Sequence, residues 1–236
     1  AEEIFQAGRN VVTANTLQIV IGSASATHDA ILAYSLLYPY TDNLLDSDMT
    51  KLQKLEFAMK FGKRLAGEMI QPENKLEEKI FRMVSLIEEK YPRNENEEVF
   101  SSLLIIHEAQ VNSLKQQKVP RLGSFKPDVA KLTQLVVSKG GSSVMADAFL
   151  VAGKPTREFA KFAFGLGVAL QILDDLQDVE LNTKERQATL VTIAARGGNP
   201  IDHIANKLVH FCESVFNQLD DIDQLSAFEK NTLKKL

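Results

Sequence analysis

The chain predicts an all-α fold: one domain over 1–236, built as a bundle of about ten helices. Three observations carry this. Wherever a hydrophobic period is legible it is helical, as in Leu76, Ile80, Met83, Ile87 and Tyr91, spaced four, three, four and four. Period-two alternation flanked by Asn-Gly or Asp-Gly turns is not found, so no sheet is expected. Turn-forming clusters at 72–74, 91–97, 119–127, 138–143, 152–156 and 196–200 cut the sequence into helix-sized pieces.

Taken in order, the apolar stretch AILAYSLLYPY (30–40) reads as a helix leading into the aspartate run TDNLLDSD (41–48). Thr50 with Gln53 has capping-box spacing and starts the next helix, and Asn94 with Glu97 has the same spacing. HEAQVNSLKQQ (107–117) is a polar helical stretch, and SKGGSS (138–143) is expected to interrupt a helix, because glycine there costs about 1 kcal/mol relative to alanine. FAKFAFGLGVALQIL (159–173) is an almost wholly apolar helix in which Gly165 and Gly167 permit close packing. Asn199, with Pro200 at the first helical position and Asp202 two residues on, starts another.

A length of 236 residues, 44% of them hydrophobic, suits one large core and is short for two domains. The net charge of −4 with scattered basic residues offers no footprint for nucleic acid. A single cysteine, Cys212, excludes a disulfide framework and fits a reducing compartment, so a cytoplasmic location is expected. The longest apolar run, 162–173, is 12 residues, against the ~20 that a spanning helix needs, so no transmembrane segment is expected. The chain starts on Ala1, and the expectation is that its native N-terminus is missing.

Two aspartate clusters dominate the functional reading. Asp42 and Asp46 are spaced i,i+4, and so are Asp174 and Asp178 in LQILDDLQDVE (170–180), so each pair projects from one helical face. An aspartate run alone is as readily a solvated face or a cap. Embedded in apolar helices, two such pairs call for a cation. Mg²⁺ favours carboxylate oxygen completed by water and substrate phosphate, which makes a diphosphate the natural third party. Asp175 points about 100° away from Asp174 and is the weaker ligand candidate. Asp48 reads equally well as a cap of the following helix.

The stretch 138–193 resembles the C-terminal half of the trans (class I) isoprenoid synthase superfamily, which includes polyprenyl diphosphate, squalene, phytoene and terpene synthases. The residues that carry the likeness are Lys139, Gly140, Gln171, Asp174, Asp175, Asp178, Arg186, Thr189 and Leu190. The resemblance implies a helical bundle around a central cavity, with both aspartate motifs at its mouth. Three Mg²⁺ ions would be held there with the diphosphate of an allylic prenyl substrate. By the same likeness Asp42, Asp46, Asp174, Asp175 and Asp178 are metal ligands, Asp42, Asp46, Asp174 and Asp178 also serving catalysis, while Lys139 and Arg186 bind diphosphate. Gln171 binds diphosphate or orients a carboxylate, and His107, Gln110 and Asn112 resemble a polar cavity-lining helix. Tyr38 and Tyr40 would line the cavity beside Asp42. Gly140 and Gly141 would form a kink, or a plain interhelical turn. His28, His203 and His210 have no metal-ligand spacing. A homodimer is also implied.

The likeness is uneven. Chain-elongating synthases start their first motif with two aspartates and follow it with paired arginines that hold isopentenyl diphosphate; here position 43 is Asn, and only Lys63 and Arg64 could substitute. The first motif is more like that of squalene and phytoene synthases or class IB terpene synthases. The expected activity is therefore ionisation of a preformed allylic diphosphate, followed by cyclisation, elimination or prenyl coupling. The alternatives are trans-polyprenyl chain elongation and a non-catalytic isoprenoid-binding or regulatory subunit.

Overall fold

Ten α-helices and a closing 3₁₀ turn make up the regular structure of the computed structural model, which describes residues 2–22, 27–46, 49–114, 127–198, 200–223, 225–227, 230–231 and 234, the side chains of 2–5, 42, 43 and 46 excepted. In chain order they are α1 (Glu2–Val20), α2 (Asp29–Asp46), α3 (Lys51–Leu65), α4 (Lys75–Lys90), α5 (Glu97–Ser113), α6 (Val129–Ala152), α7 (Arg157–Gln177), α8 (Val179–Lys184), α9 (Leu190–Arg196) and α10 (Asp202–Asn217), with the 3₁₀ turn at Gln218–Asp221. No strand occurs among the described residues, as expected for an all-α bundle.

Side-chain caps fix several helix starts. The Thr50 hydroxyl accepts from the Gln53 amide at 3.3 Å, and the Gln53 side chain accepts from the Thr50 amide at 3.0 Å, completing the expected capping box. Asn74 caps α4 by accepting from the amides of Leu76 and Glu77. The box expected at Asn94 and Glu97 does not form. α5 starts at Glu97 after Asn96, whose side chain donates back to the Pro92 carbonyl at 3.0 Å, because a turn led by Pro92 occupies the residues before the helix. α10 starts at Asp202, two residues later than the Pro200 reading, and Asn199 lies outside the described residues.

α2 carries a proline in its interior. Pro39 has no amide to donate to the carbonyl four residues back. That carbonyl, on buried Ser35, instead accepts from the Asn10 side chain of α1 at 3.3 Å, so α1 repairs the ladder that Pro39 breaks.

The expected break at 138–143 is not there. α6 runs unbroken through Gly140 and Gly141, and both glycines are buried against α7. A Cβ on Gly167 would sit 2.1 Å from the Gly140 carbonyl oxygen, and one on Gly141 would sit 2.4 Å from the Phe164 ring. Glycine serves here to let two backbones touch, and the packing outweighs its poor helix propensity.

α6 is the shared wall of two cores. Ala146 and Leu150 face a core made with α2, α3, α4 and α5, while Val144 and Ala148 face one made with α1, α7, α10 and the 3₁₀ turn. A helix packed on both sides is apolar around most of its circumference. α6 is accordingly the one described helix whose length and hydropathy match a membrane span, and 44% of its most apolar window is buried within the fold.

Two glycine substitutions test this packing. Gly167→Ala, which drives a methyl into backbone, is expected to cost about 2–3 kcal/mol. Gly8→Ala, with nothing within 4 Å of the new methyl, is expected to gain about 0.5–1 kcal/mol. Urea melts would contradict the account if the two variants shifted alike.

Candidate functional site

A cavity of about 380 Å³ opens between α1, α2, α6 and α7. This volume is within the roughly 300–1,000 Å³ usual for small-molecule sites. Its lining is mixed. Arg9, Lys139, Asp147, Gln171, Asp174 and Gln177, with Gln6, Asn10, Thr13 and Ser143, are charged or polar, while Tyr34, Tyr38, Pro39, Val144, Leu170 and Leu173 supply aromatic and apolar surface.

The close approach of α6 and α7 assembles charged residues of this lining. Since Gly140 touches Gly167 and the Gln171 stem, Lys139 is brought beside the end of α7 that carries the second aspartate motif. Gln171 donates to Asp175 Oδ1 across a long 3.5 Å, and thus orients a carboxylate. The Asp175 carboxyl is pushed up to about 6, chiefly by burial and then by the neighbouring Asp174 charge; Gln171 and Lys139 act in the opposite direction, and Asp178 adds to the rise. Asp178 caps α7, its amide donating to the Asp174 carbonyl at 2.9 Å, so the second motif straddles the α7–α8 joint and not one continuous helical face.

Asp174 meets a residue that no sequence motif announced. Arg9 of α1 donates to Asp174 Oδ1 at 3.1 Å. With the two side chains 55% and 40% exposed, this pair contributes no more than about 1 kcal/mol, so Arg9 is readily released to another anion.

Of the other expected site residues, several lie off this cavity. Tyr40 packs on the α2–α5 core, whereas Tyr34 and Tyr38, on the row that continues to position 42, line the cavity. Gln110 is buried, with its carbonyl accepting from Thr41 at 3.4 Å and its amide nitrogen unpartnered. His107 is bound through Nε2 to the Ala58 carbonyl at 2.9 Å, and burial lowers its pKa, as suits a structural histidine. Arg186 lies in the turn after α8 with a left-handed φ of 61°, a strained conformation for any residue but glycine. Thr189 caps α9 in a reciprocal pair with Thr192. Arg64 forms a two-pronged pair with Glu88 and also binds Ser85, and neither it nor Lys63 lines this cavity.

The side chains of Asp42 and Asp46, and Asp48 altogether, lie outside the described residues. Among the described residues no group of three or more His, Cys, Asp or Glu side chains is set to hold a metal ion. The second motif nevertheless offers the carboxylate oxygens that a hard cation prefers, with Asp174 and Asp178 close enough to Asp175 for their charges to add to the rise in its pKa.

Asp147 of α6 was also not anticipated. It is 4% exposed, lines the cavity and has no hydrogen-bond partner for Oδ1. A lone charge in the apolar run SSVMADAFLVA was its signal in the sequence. Burial holds its pKa well above the usual carboxylate range.

No protein family, no curated protein and no solved structure matches this chain.

The raised Asp175 pKa has a definite sign for stability. Between the ordinary value of 3.8 and about 6 the folded chain binds a proton that the unfolded chain releases, so stability falls as pH rises through this window. In EDTA, Asp175→Asn is expected to be more stable than the parent by of order 2 kcal/mol at pH 7.5. The gain should vanish near pH 4. Thermal melts at both pH values check this, and an equal gain at both would contradict it.

Proposed function

We propose that this chain is a Mg²⁺-dependent class I isoprenoid synthase, which ionises a preformed allylic prenyl diphosphate and then cyclises, eliminates or couples the cation. The observation that carries the reading is one cavity that brings Lys139, Gln171 and Asp174 together with the aromatic and aliphatic side chains of Tyr34, Tyr38, Val144, Leu170 and Leu173. An amphiphile with an anionic head and a hydrocarbon tail could use both kinds of side chain.

Asp174 and Asp178, with Asp42 and Asp46 from the end of α2, would hold the metal. When bound, Mg²⁺ supplies Lewis-acid neutralisation of the diphosphate leaving group. Lys139 and Arg9 offer donors to the diphosphate oxygens, Arg9 by exchanging its exposed Asp174 partner for phosphate. Gln171 keeps Asp175 oriented beside them. Tyr34, Tyr38, Val144 and Leu170 exclude the water that would quench an allylic cation. The engagement of Arg64 with Glu88 disfavours chain elongation, since it leaves no arginine pair for a second diphosphate.

The test is Mg²⁺-dependent release of diphosphate from geranyl, farnesyl and geranylgeranyl diphosphates, with and without isopentenyl diphosphate, products being identified by mass. Release without isopentenyl diphosphate, yielding hydrocarbon or alcohol, is the expected result. Lys139→Ala and Asp174→Ala should each lower kcat/KM by about 100-fold or more. Release only in the presence of isopentenyl diphosphate would instead assign elongation, and no release at all would assign a non-catalytic role.

A further inference from the structure

The cavity holds one polar side chain that diphosphate binding does not use and that the fold leaves unsatisfied. Asp147 is almost wholly buried, lines the cavity, and has no hydrogen-bond partner for Oδ1. Other polar side chains of the lining are already engaged. The Tyr34 hydroxyl donates to the Ser143 carbonyl at 2.9 Å, the Ser143 hydroxyl to the Gly140 carbonyl at 2.8 Å, and the Thr13 hydroxyl to the Arg9 carbonyl at 3.1 Å. The Asn10 amide donates to the Ser35 carbonyl, the Arg9 guanidinium to Asp174 and the Gln171 amide to Asp175. Among the described lining residues, Asp147 therefore supplies the only buried side-chain atom without a partner. Buried polar atoms are nearly always hydrogen-bonded, so an orphan on a cavity wall points to a partner that arrives with the ligand.

The chemistry of the orphan narrows what that partner is. Burial raises the pKa of Asp147 and so favours its neutral form, in which one oxygen donates and the other accepts. An ammonium group on the ligand would call for the ionised form instead. A hydroxyl both donates and accepts, so it satisfies a neutral carboxyl whichever oxygen carries the proton. A hydrocarbon chain does neither, and would seal the orphan away from water. Position within the fold adds the depth: Asp147 lies eight residues beyond Lys139 on α6, about 12 Å along its axis. A molecule whose diphosphate sits at Lys139 would meet Asp147 with the far part of its chain.

We propose that Asp147 is a specificity-determining residue that hydrogen-bonds a hydroxyl group on the distal part of the bound prenyl chain, so that the cavity takes a hydroxylated prenyl diphosphate in preference to the plain one. The proposal rests on the reading of the cavity as a prenyl diphosphate site. The selection works mainly by rejection. A chain without the hydroxyl leaves a buried carboxyl unpaired, and a site that holds such a group discriminates far more sharply than one that only measures shape. Asp147 exchanges no proton with the ligand, and its contribution is to binding alone.

Binding of inert analogues tests this without turnover. Geranyl, farnesyl and geranylgeranyl thiolodiphosphates, whose carbon–sulfur bond resists ionisation, are each titrated calorimetrically in Mg²⁺, plain and with a hydroxyl on the terminal isoprene unit. The three lengths set the hydroxyl at three depths. The parent chain should bind one of the hydroxylated analogues at least about tenfold more tightly than its plain counterpart. Asp147→Leu should abolish that preference, chiefly by binding the plain analogue better, whereas Asp147→Asn, whose amide also donates and accepts, should retain part of it. A merely structural role would shift both affinities alike. Equal affinities of the parent for plain and hydroxylated analogues at all three lengths, or a preference left unchanged in either folded variant, would overturn the proposal while leaving the prenyl diphosphate reading intact. No binding of any analogue by the parent would overturn both.

Discussion

The backbone contact between Gly140 of α6 and Gly167 of α7 is the constraint on which the remaining arrangement depends. With no side chain between them, the two longest described helices approach closely enough for the Gln171 stem to meet Gly140. Lys139 thereby comes beside the carboxylates at the end of α7, and Val144, Leu170 and Asp147 come to line one cavity. Cavity shape and charge placement are thus set by the same pair of glycines. A methyl at either position would separate the helices and move charge and wall together.

Within that frame, environment gives the carboxylates different characters. Asp174 is partly exposed and paired with Arg9, and is available to a cation or a phosphate-bound donor. Asp175, more buried and flanked by two like charges, has its carboxyl pushed up to about 6. Asp147 is almost wholly buried, and burial holds its pKa well above the usual carboxylate range. On the opposite side α1 contributes twice, through Arg9 to Asp174 and through Asn10 to the carbonyl that Pro39 leaves open. The helix with no recognisable motif is therefore part of both the site and its support.

Much of the helical layout was legible because it rests on local rules. The Leu76–Tyr91 period, the Thr50–Gln53 box and the turn before Arg157 all involve residues within a few positions of one another. The readings that failed needed tertiary knowledge. Gly140 and Gly141 look like a break in one dimension and are a packing surface in three, and Asn94 yields to a turn organised by Pro92. Lys139, Gln171 and Asp174 were placed together by the motif that contains them, and they do share one cavity wall. Arg9 could not be found, since a lone arginine on an unremarkable helix carries no spacing signal. Asp147 could have been, because it is the one charge in an otherwise uncharged run, but a rule that searches for paired carboxylates passes over a single one.

The central claim is that the end of α2 and the end of α7 together hold a metal-bound diphosphate over the cavity. A crystal grown with Mn²⁺ and inorganic pyrophosphate, with the metal located by its anomalous signal, tests it most directly. The account predicts Mn²⁺ ligated by Asp174 and Asp178 from one side and by Asp42 and Asp46 from the other, with pyrophosphate between the ions and Lys139. Mn²⁺ ordered elsewhere, or pyrophosphate bound without carboxylate-held metal, would contradict it.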